Sequence, residues 1–389
     1  MDVRTALRLS VRVLLGVLLL VILLVAGWGL THRDEARGLR TALVVASELE
    51  DVPGSAVARW GTDAPRATVV RQVGDLPATL TQPADGSSHP AVALLVPNGT
   101  TAEEARDAAN LQRGLARAGL AAWAVRTPNP GSGLASDDSQ QRLEAALLAI
   151  ANDPTSRDSK LSLVATGSLG SQALVAAGTP ELRSAIRGVV AVQPVADLRG
   201  VLQLAVTGIT VGANGIERQH PAASDVRTVA GRSVVEVLQA HAEANESRLL
   251  DAVLEEAARS DDPIATLRGV PASALTPTLR QVRAVLDATD TAGFAAAWDV
   301  LPADLRADAE SASPTSVARE IDARVLLLVP VDDSAWPSED ASRLQERLPN
   351  VRLVESDVLD PGASVEQLEL GDVRSLAAAL GWWLAEAGG

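Results

Sequence analysis

Short apolar runs recur along the chain, and segments with helical spacing separate them. The runs cover residues 91–96, 121–125, 161–165, 188–192, 325–331 and 351–354. Each has the length of a strand, and Gly, Pro or Asn bounds many of them, which is typical of buried strands. Because the intervening segments are long enough for crossovers, the pattern predicts a mostly parallel, doubly wound α/β sheet. Residues 68–82 alternate in polarity, which predicts an antiparallel hairpin at the sheet edge.

The helical signals divide the chain into a core and an insertion. Thr101 and Glu104 form a capping box that opens a helix ending before Gly119. Between the runs 188–192 and 325–331 the spacing is helical throughout, and the predicted helices cover 233–241, 247–259, 278–288 and 294–309. We therefore predict a core of residues 66–200 and 315–389, with a helical cap of residues 201–314.

The amino-terminal part has the composition of a membrane anchor. No residue from Val13 to Leu30 is charged, and a helix of that length would measure about 27 Å, close to the roughly 30 Å of a bilayer core. We predict an anchor within residues 1–30 that contacts the lipid bilayer through residues 13–30, followed by a tether over 31–65. A cleaved signal peptide is the alternative, although its apolar core is usually shorter.

The orientation of the chain in the membrane is indicated less directly. Arginines flank the apolar run on both sides, so the positive-inside rule does not decide it. The short tail before the run favours a single-pass protein of the cell membrane with its bulk outside the cytoplasm. A domain that faces the cytoplasm is the alternative.

Composition excludes several classes of function. The net charge is −15, with 49 acidic against 34 basic residues, which disfavours a nucleic-acid partner. The chain has no cysteine, and its four histidines lack a metal-binding spacing, so we expect neither a metal site nor a cofactor. Adjacent carboxylates such as Asp261 and Asp262 are interpreted as solvated, with a calcium site as the weaker alternative.

One sequence motif indicates a candidate catalytic residue. Residues 166–170 read TGSLG, directly after the run 161–165 and directly before a helical stretch that closes at Gly178. A strand, a tight turn with a central serine and then a helix are the context of a nucleophile elbow. The motif therefore predicts that Ser168 takes the strained backbone position of the turn and that its small neighbours prevent clashes.

Longer segments around this motif resemble a known family. The segments are GDLPATLTQPADGSSHPAVALLVPNGT, TGSLGS and SPTSVAREIDARVLLLVPVDDSAWP. They resemble α/β-hydrolases of the serine-esterase or dienelactone-hydrolase type, in particular membrane-anchored actinobacterial versions, over residues 68–360. The resemblance implies an α/β-hydrolase fold with a helical cap, and a small acyl or ester compound as the ligand.

The resemblance also implies roles for individual residues. Ser168 would be the nucleophile and Asp333 the acid of the triad, with Asp332 as the alternative acid. The oxyanion hole would use the backbone N–H of Leu169 and one from the loop at Asn98 and Gly99.

The chain departs from the family at the position of the general base. Pro361 stands where the family has its histidine, and no histidine follows His241. His220 or His241, from the cap, would have to substitute. Without an imidazole the serine has no base with a pKa near neutrality. Two functions therefore remain open: a membrane-anchored serine hydrolase with weak or unconventional activity, and a non-catalytic relative that binds a ligand or acts as a scaffold at the cell envelope.

Overall fold

The computed structural model describes most of the chain beyond its amino-terminal part. The described residues are 38, 40–42, 44–45, 48, 62–98, 100–127, 137–212, 214–241, 248–271, 273, 275–331, 338–356 and 370–387. The predicted membrane anchor, residues 13–30, lies outside them and stays a prediction. Within the described ranges, no helix has both the length and the apolar character needed to cross a bilayer.

Eight strands form one twisted sheet. The strands in the described ranges are β1 (Val69–Val73), β2 (Leu76–Thr81), β3 (His89–Pro97), β4 (Ala121–Thr127), β5 (Ser156–Thr166), β6 (Ile186–Val192), β7 (Ile209–Val211), β8 (Glu217–Gln219), β9 (Arg324–Val329) and β10 (Val351–Glu355). The sheet has the order β1-β2-β4-β3-β5-β6-β9-β10, and β7 pairs with β8 alone. β2 is antiparallel to β1 and β4, and the other neighbours are parallel. The predicted edge hairpin and the six predicted strands are confirmed.

The apolar runs form strands because helices cover both faces of the sheet. Ala93 lies opposite Trp123 on β4 and Leu163 on β5, and all three side chains are buried. A parallel strand that is buried on both faces needs a continuous apolar run rather than an alternating one. This explains why the six runs could be recognised in the sequence.

Fourteen α-helices have both of their bounds in the described part of the chain. They are α1 (Ala102–Arg117), α2 (Asp137–Ala151), α3 (Gly167–Gly178), α4 (Pro180–Arg183), α5 (Leu198–Thr207), α6 (Ser224–Ala240), α7 (Arg248–Arg259), α8 (Pro263–Arg268), α9 (Pro277–Leu286), α10 (Thr291–Asp299), α11 (Ala303–Ser311), α12 (Pro314–Val317), α13 (Glu339–Gln345) and α14 (Leu370–Ala387). The capping box of Thr101 and Glu104 is present at the start of α1. On α14, Trp383 is buried against β6, where a Cβ added to Gly188 would lie 2.4 Å from the indole Nε1.

The helical insertion lies between β6 and β9. It contains α5 to α12 and the β7–β8 hairpin, and its own apolar core includes Leu254, Phe294 and Trp298. The predicted cap boundaries, 201 and 314, fall within α5 and on the first residue of α12. The prediction of one helix over 294–309 is wrong: α10 and α11 replace it, with Pro302 as the N-cap of α11. Proline lacks the N–H that a continuous helix would need at that position.

Candidate functional site

The turn between β5 and α3 is the sharp strand-to-helix turn that the motif predicts, but its left-handed residue is Gly167. Gly167 has a φ of 55°, and Ser168 is absent from the described non-glycine residues with positive φ. In a nucleophile elbow the nucleophile itself takes the strained position. The expectation that Ser168 occupies that position is therefore wrong by one residue.

A side chain at the apex of this turn would have open space around it. A Cβ added to Gly167 would meet no atom of the described residues within 4 Å. Ser168 is half-buried as the second residue of α3, and its hydroxyl makes no hydrogen bond within the described ranges. The turn thus keeps the open apex of an elbow, while glycine supplies no nucleophile there.

Close packing fixes the position of the turn. A Cβ on Gly170 would lie 3.4 Å from the Ala191 Cβ, so α3 approaches β6 closely. At the next residue, the buried Ser171 hydroxyl donates to the Val195 carbonyl and accepts from the Val195 N–H, both at 2.9 Å. These contacts join α3 to the segment after β6, so the turn belongs to the rigid core.

The other predicted members of the site are only partly described. Leu169 is buried in the first turn of α3, where backbone N–H groups have no intrahelical acceptor. Asn98 follows β3 and is exposed. Both lie at the carboxyl edge of the sheet, because β3 and β5 are parallel neighbours that end there. Gly99, Asp332, Asp333 and Pro361 lie outside the described residues, so their predicted roles stay predictions.

The two histidines of the insertion have different surroundings. His241 ends α6, and its Nε2 lies 2.5 Å from the Asp308 carboxylate while its Nδ1 lies 3.4 Å from that of Asp304. His220 follows β8, donates its backbone N–H to Gly208, and has a buried Nε2 without a partner among the described residues. No described hydrogen bond joins either ring to Ser168.

A separate serine, histidine and aspartate meet before β3. His89 Nε2 lies 3.1 Å from the Ser87 hydroxyl and 2.6 Å from Asp85 Oδ1. A catalytic triad uses the two ring nitrogens separately, whereas here one nitrogen makes both contacts. Hydrogen bonds from His89 and then Ser87 lower the pKa of Asp85 to about 2. The cluster lies at the amino end of β3, away from the turn at Gly167, and we interpret it as a loop contact.

A larger polar cluster joins the segment after β6 to α13. Arg343 donates to Asp197 at 2.8 Å and also to Asp340, whose second carboxylate oxygen accepts the Ala196 N–H at 3.2 Å. Asp197 also caps α5 by accepting the Gly200 N–H at 2.5 Å. This cluster has no signature in the sequence, because no local motif links residues that lie 146 positions apart.

Burial and neighbouring charges together set the pKa values of Asp340 and Arg343. Burial raises the pKa of the Asp340 carboxyl, and the nearby positive charge of Arg343 offsets this only in part. Burial alone would lower the pKa of Arg343, but the carboxylates of Asp340 and Asp197 raise it. The guanidinium therefore stays charged and holds two carboxylates at the base of the insertion.

A cavity of about 470 Å³ opens beside this cluster, between the insertion and α13. Its lining includes Asp197, Arg199, Gln203, Thr210, Trp298, Glu310, Thr315, Arg343 and Arg347. The volume is in the range of small-molecule pockets. None of the lining residues belongs to the turn at Gly167 or to the loop at Asn98. No group of side chains suited to a metal ion was found in the described ranges.

Comparisons with known proteins give only weak similarities to solved structures. No protein-family model matches the sequence, and curated protein sequences gave no match. Among solved structures, the chain is similar to an esterase from Pyrobaculum calidifontis, with 13% identity and a TM-score of 0.43 over 91% of this chain and 92% of that one.

Two peptidases show similarity over only part of their length. The puromycin-hydrolyzing peptidase of Mycobacterium tuberculosis has 14% identity and a TM-score of 0.45, over 87% of this chain and 41% of that one. Dipeptidyl peptidase 4 of Porphyromonas gingivalis has 11% identity and a TM-score of 0.44 over 84% of this chain, which spans 37% of its length. These similarities are low, so the fold assignment depends on the chain's own sheet and turn.

Three features agree with the fold that the sequence resemblance implies. They are the mostly parallel sheet with its antiparallel edge, the helical insertion after β6, and the sharp turn from β5 into α3. Together they give this chain the α/β-hydrolase fold.

Proposed function

We propose that this chain is a non-catalytic member of the α/β-hydrolase fold, anchored in a membrane, that binds a small ligand instead of hydrolysing an ester. The observation that carries the proposal is the glycine at the apex of the elbow. Gly167 has the left-handed φ that the nucleophile of an elbow adopts, and it has no side chain with which to attack a carbonyl.

The sequence supports the same conclusion at the position of the base. Pro361 stands where the resemblance places the histidine, and the last histidine of the chain is His241. His241 lies against Asp304 and Asp308. A hydroxyl without an adjacent base is a weak nucleophile at neutral pH. The chain would therefore lack both the side chain that attacks and the side chain that accepts its proton.

The competing function is a serine hydrolase that uses Ser168. One observation favours it: the Ser168 hydroxyl is half-buried beside the open apex and makes no described hydrogen bond. A nucleophile there would sit in the first turn of a helix rather than in the strained position. It would also need Asp333 and an imidazole from elsewhere in the chain.

A labelling experiment separates the two functions. The purified full chain in detergent micelles is treated with a fluorophosphonate probe, and hydrolysis of p-nitrophenyl acetate and butyrate is measured, with Ser168→Ala as the matched variant. We expect equal labelling and equal turnover in both proteins, at the level of a heat-unfolded control. Labelling and turnover that disappear in Ser168→Ala would establish the serine hydrolase and end our proposal.

A second set of variants tests whether residue 167 or residue 168 occupies the nucleophile position of the turn. Gly167→Ser places a hydroxyl at the apex, and Pro361→His adds the base that the resemblance implies. We expect hydrolysis to rise in the double variant but not in Pro361→His alone. A rise in Pro361→His alone would show that Ser168 is the nucleophile.

The membrane anchor is part of the proposal and has its own test. Residues 13–30 are long and apolar enough to span a bilayer, and residues 31–65 would act as the tether, with the bulk of the chain outside the cytoplasm. Removal of residues 13–30 should move the protein from the membrane fraction to the soluble fraction. Mass spectrometry of the native amino terminus distinguishes a retained anchor from a cleaved signal peptide.

A further inference from the structure

Two exposed arginines line the cavity between the insertion and α13. Arg199 and Arg347 line it, and neither forms an ion pair with any described residue. Arg347 uses Nη1 for the Thr315 carbonyl at 3.2 Å, and Arg199 lies 5.9 Å from the centre of the Trp298 ring. Each guanidinium has further donors in a planar fork that matches a carboxylate.

Thr210 is the second indication of a ligand. It is 6% exposed on β7 and lines the cavity, yet its hydroxyl makes no hydrogen bond within the described part of the chain. Its Oγ1 is not among the fully enclosed atoms without a partner, so it is open to the cavity, where a ligand carboxylate can accept its proton. The cavity therefore has donors of two kinds on its wall.

The charges of the lining limit the charge of the ligand. Asp197 is engaged by Arg343 at 2.8 Å, so it is not available to Arg199 or Arg347. Glu310 is the remaining acidic lining residue, and it too has no described ion pair. Two unpaired guanidiniums against one carboxylate favour a single negative charge, and Glu310 disfavours a phosphate dianion.

Apolar surface accompanies these donors. Trp298 lines the cavity, and it also lines a smaller apolar cavity of about 40 Å³ inside the insertion, together with Ala309. An aromatic ring or a short alkyl group would contact this surface, whereas a small inorganic anion would leave it exposed to water.

We propose that this cavity binds a small organic monocarboxylate, with the carboxylate held by Arg199, Arg347 and Thr210 and the apolar part against Trp298. The site lies apart from the elbow, and the inference rests on the proposed function in that it names the ligand class. Arg343, fixed by Asp197 and Asp340, holds the base of the insertion against α13 and so keeps the two walls of the cavity in place.

Calorimetric titration of the full chain tests the proposal. Benzoate is the probe, with benzyl alcohol and benzylammonium as neutral and cationic probes of similar size. We expect benzoate to bind and the other two to bind at least tenfold more weakly. Arg347→Gln, Arg199→Gln and Thr210→Val should each weaken benzoate binding, the arginine variants by about tenfold. Arg106→Gln, an exposed arginine of α1, is the matched control and should bind as the wild type does.

The outcomes separate this inference from the proposed function. Equal affinities for benzoate and benzyl alcohol, or unchanged benzoate binding in both Arg347→Gln and Arg199→Gln, would overturn the inference. Circular dichroism and urea unfolding of each variant show whether lost binding reflects lost folding. Ser168-dependent ester hydrolysis in a protein that still binds benzoate through Arg347 would overturn the proposed function and leave the cavity assignment standing.

Discussion

Strands β5 and β6 end at the same edge of the sheet, and the segments that follow them make different contacts. After β5 the turn at Gly167 is open, and the Ser168 hydroxyl has no described partner. After β6 the segment at Asp197 enters a partly buried cluster with Arg343 and the buried Asp340. The turn after β5 is therefore open at its apex, while the dense polar contacts lie one strand away, beside a cavity.

The difference indicates where the chain's structural requirements are strictest. The apex of the turn has room for a side chain, because a Cβ at Gly167 would meet no described atom within 4 Å. The partly buried cluster of charges does not tolerate the loss of a side chain, because each member compensates another. Substitutions in the two segments should therefore lower the free energy of unfolding by different amounts.

The largest effect is expected at the partly buried cluster. Arg343→Met would leave Asp197 and Asp340 without their positive partner, and we expect the free energy of unfolding to fall by about 3 kcal/mol. Urea unfolding measures this change. Arg347→Met, an exposed arginine just beyond α13, is the control and should change the free energy by less than about 0.5 kcal/mol. Equal losses in the two variants would contradict a special role for the cluster.

The second largest loss of stability is expected at the contact between Ser171 and Val195, which joins the segments after β5 and β6. Ser171→Ala would leave both the N–H and the carbonyl of Val195 without the hydroxyl that serves them, and both groups lie in the buried core. We expect a loss of about 2 kcal/mol in urea unfolding. Ser168→Ala, three residues earlier on the same helix, should be nearly neutral. A neutral Ser171→Ala would mean that α3 is held by apolar packing alone.

A smaller effect is expected at the apex itself. Gly167→Ala would place a Cβ in a residue with a φ of 55°, which costs about 1 kcal/mol for a residue other than glycine. Because the added Cβ meets no described atom, the loss should come from the backbone alone. Thermal and urea unfolding measure it. A loss above about 3 kcal/mol would show that the apex is packed rather than open.

The smallest effect concerns Asp85, at the opposite edge of the sheet. Its pKa is lowered to about 2 from the ordinary value of 3.8, so its contribution to stability is present above pH 3.8 and is lost as the pH falls toward 2. Carbon-13 NMR of the carboxyl group should give this low pKa, and His89→Gln should raise it. An ordinary pKa in the wild type would show that the contact with His89 does not persist in solution.

Local signals explain what could be predicted from the sequence. The six buried strands follow from continuous apolar runs, and the start of α1 follows from Thr101 and Glu104, which lie three residues apart. The insertion was located by its helical spacing, although Pro302 divides one predicted helix into two. Each of these features is encoded within a few neighbouring residues.

The candidate site was predicted less completely, for two physical reasons. The TGSLG motif places a glycine and a serine side by side, and the sequence pattern does not decide which of them takes the left-handed backbone position. The cluster at Arg343 depends on tertiary contacts across 146 positions, and the cavity beside it needs both the insertion and α13. Glycine's preference for positive φ was the one signal that could have indicated Gly167.

Glycine at the apex also removes the backbone strain that another residue would have at this position. A serine in a left-handed conformation stores strain that an enzyme tolerates because the reaction benefits from it. Glycine adopts the same backbone angles without that strain, so the turn after β5 reaches its left-handed conformation at little cost in free energy. Under the proposed non-catalytic function the turn would need no such strain, and its relaxed backbone would cost the chain no stability.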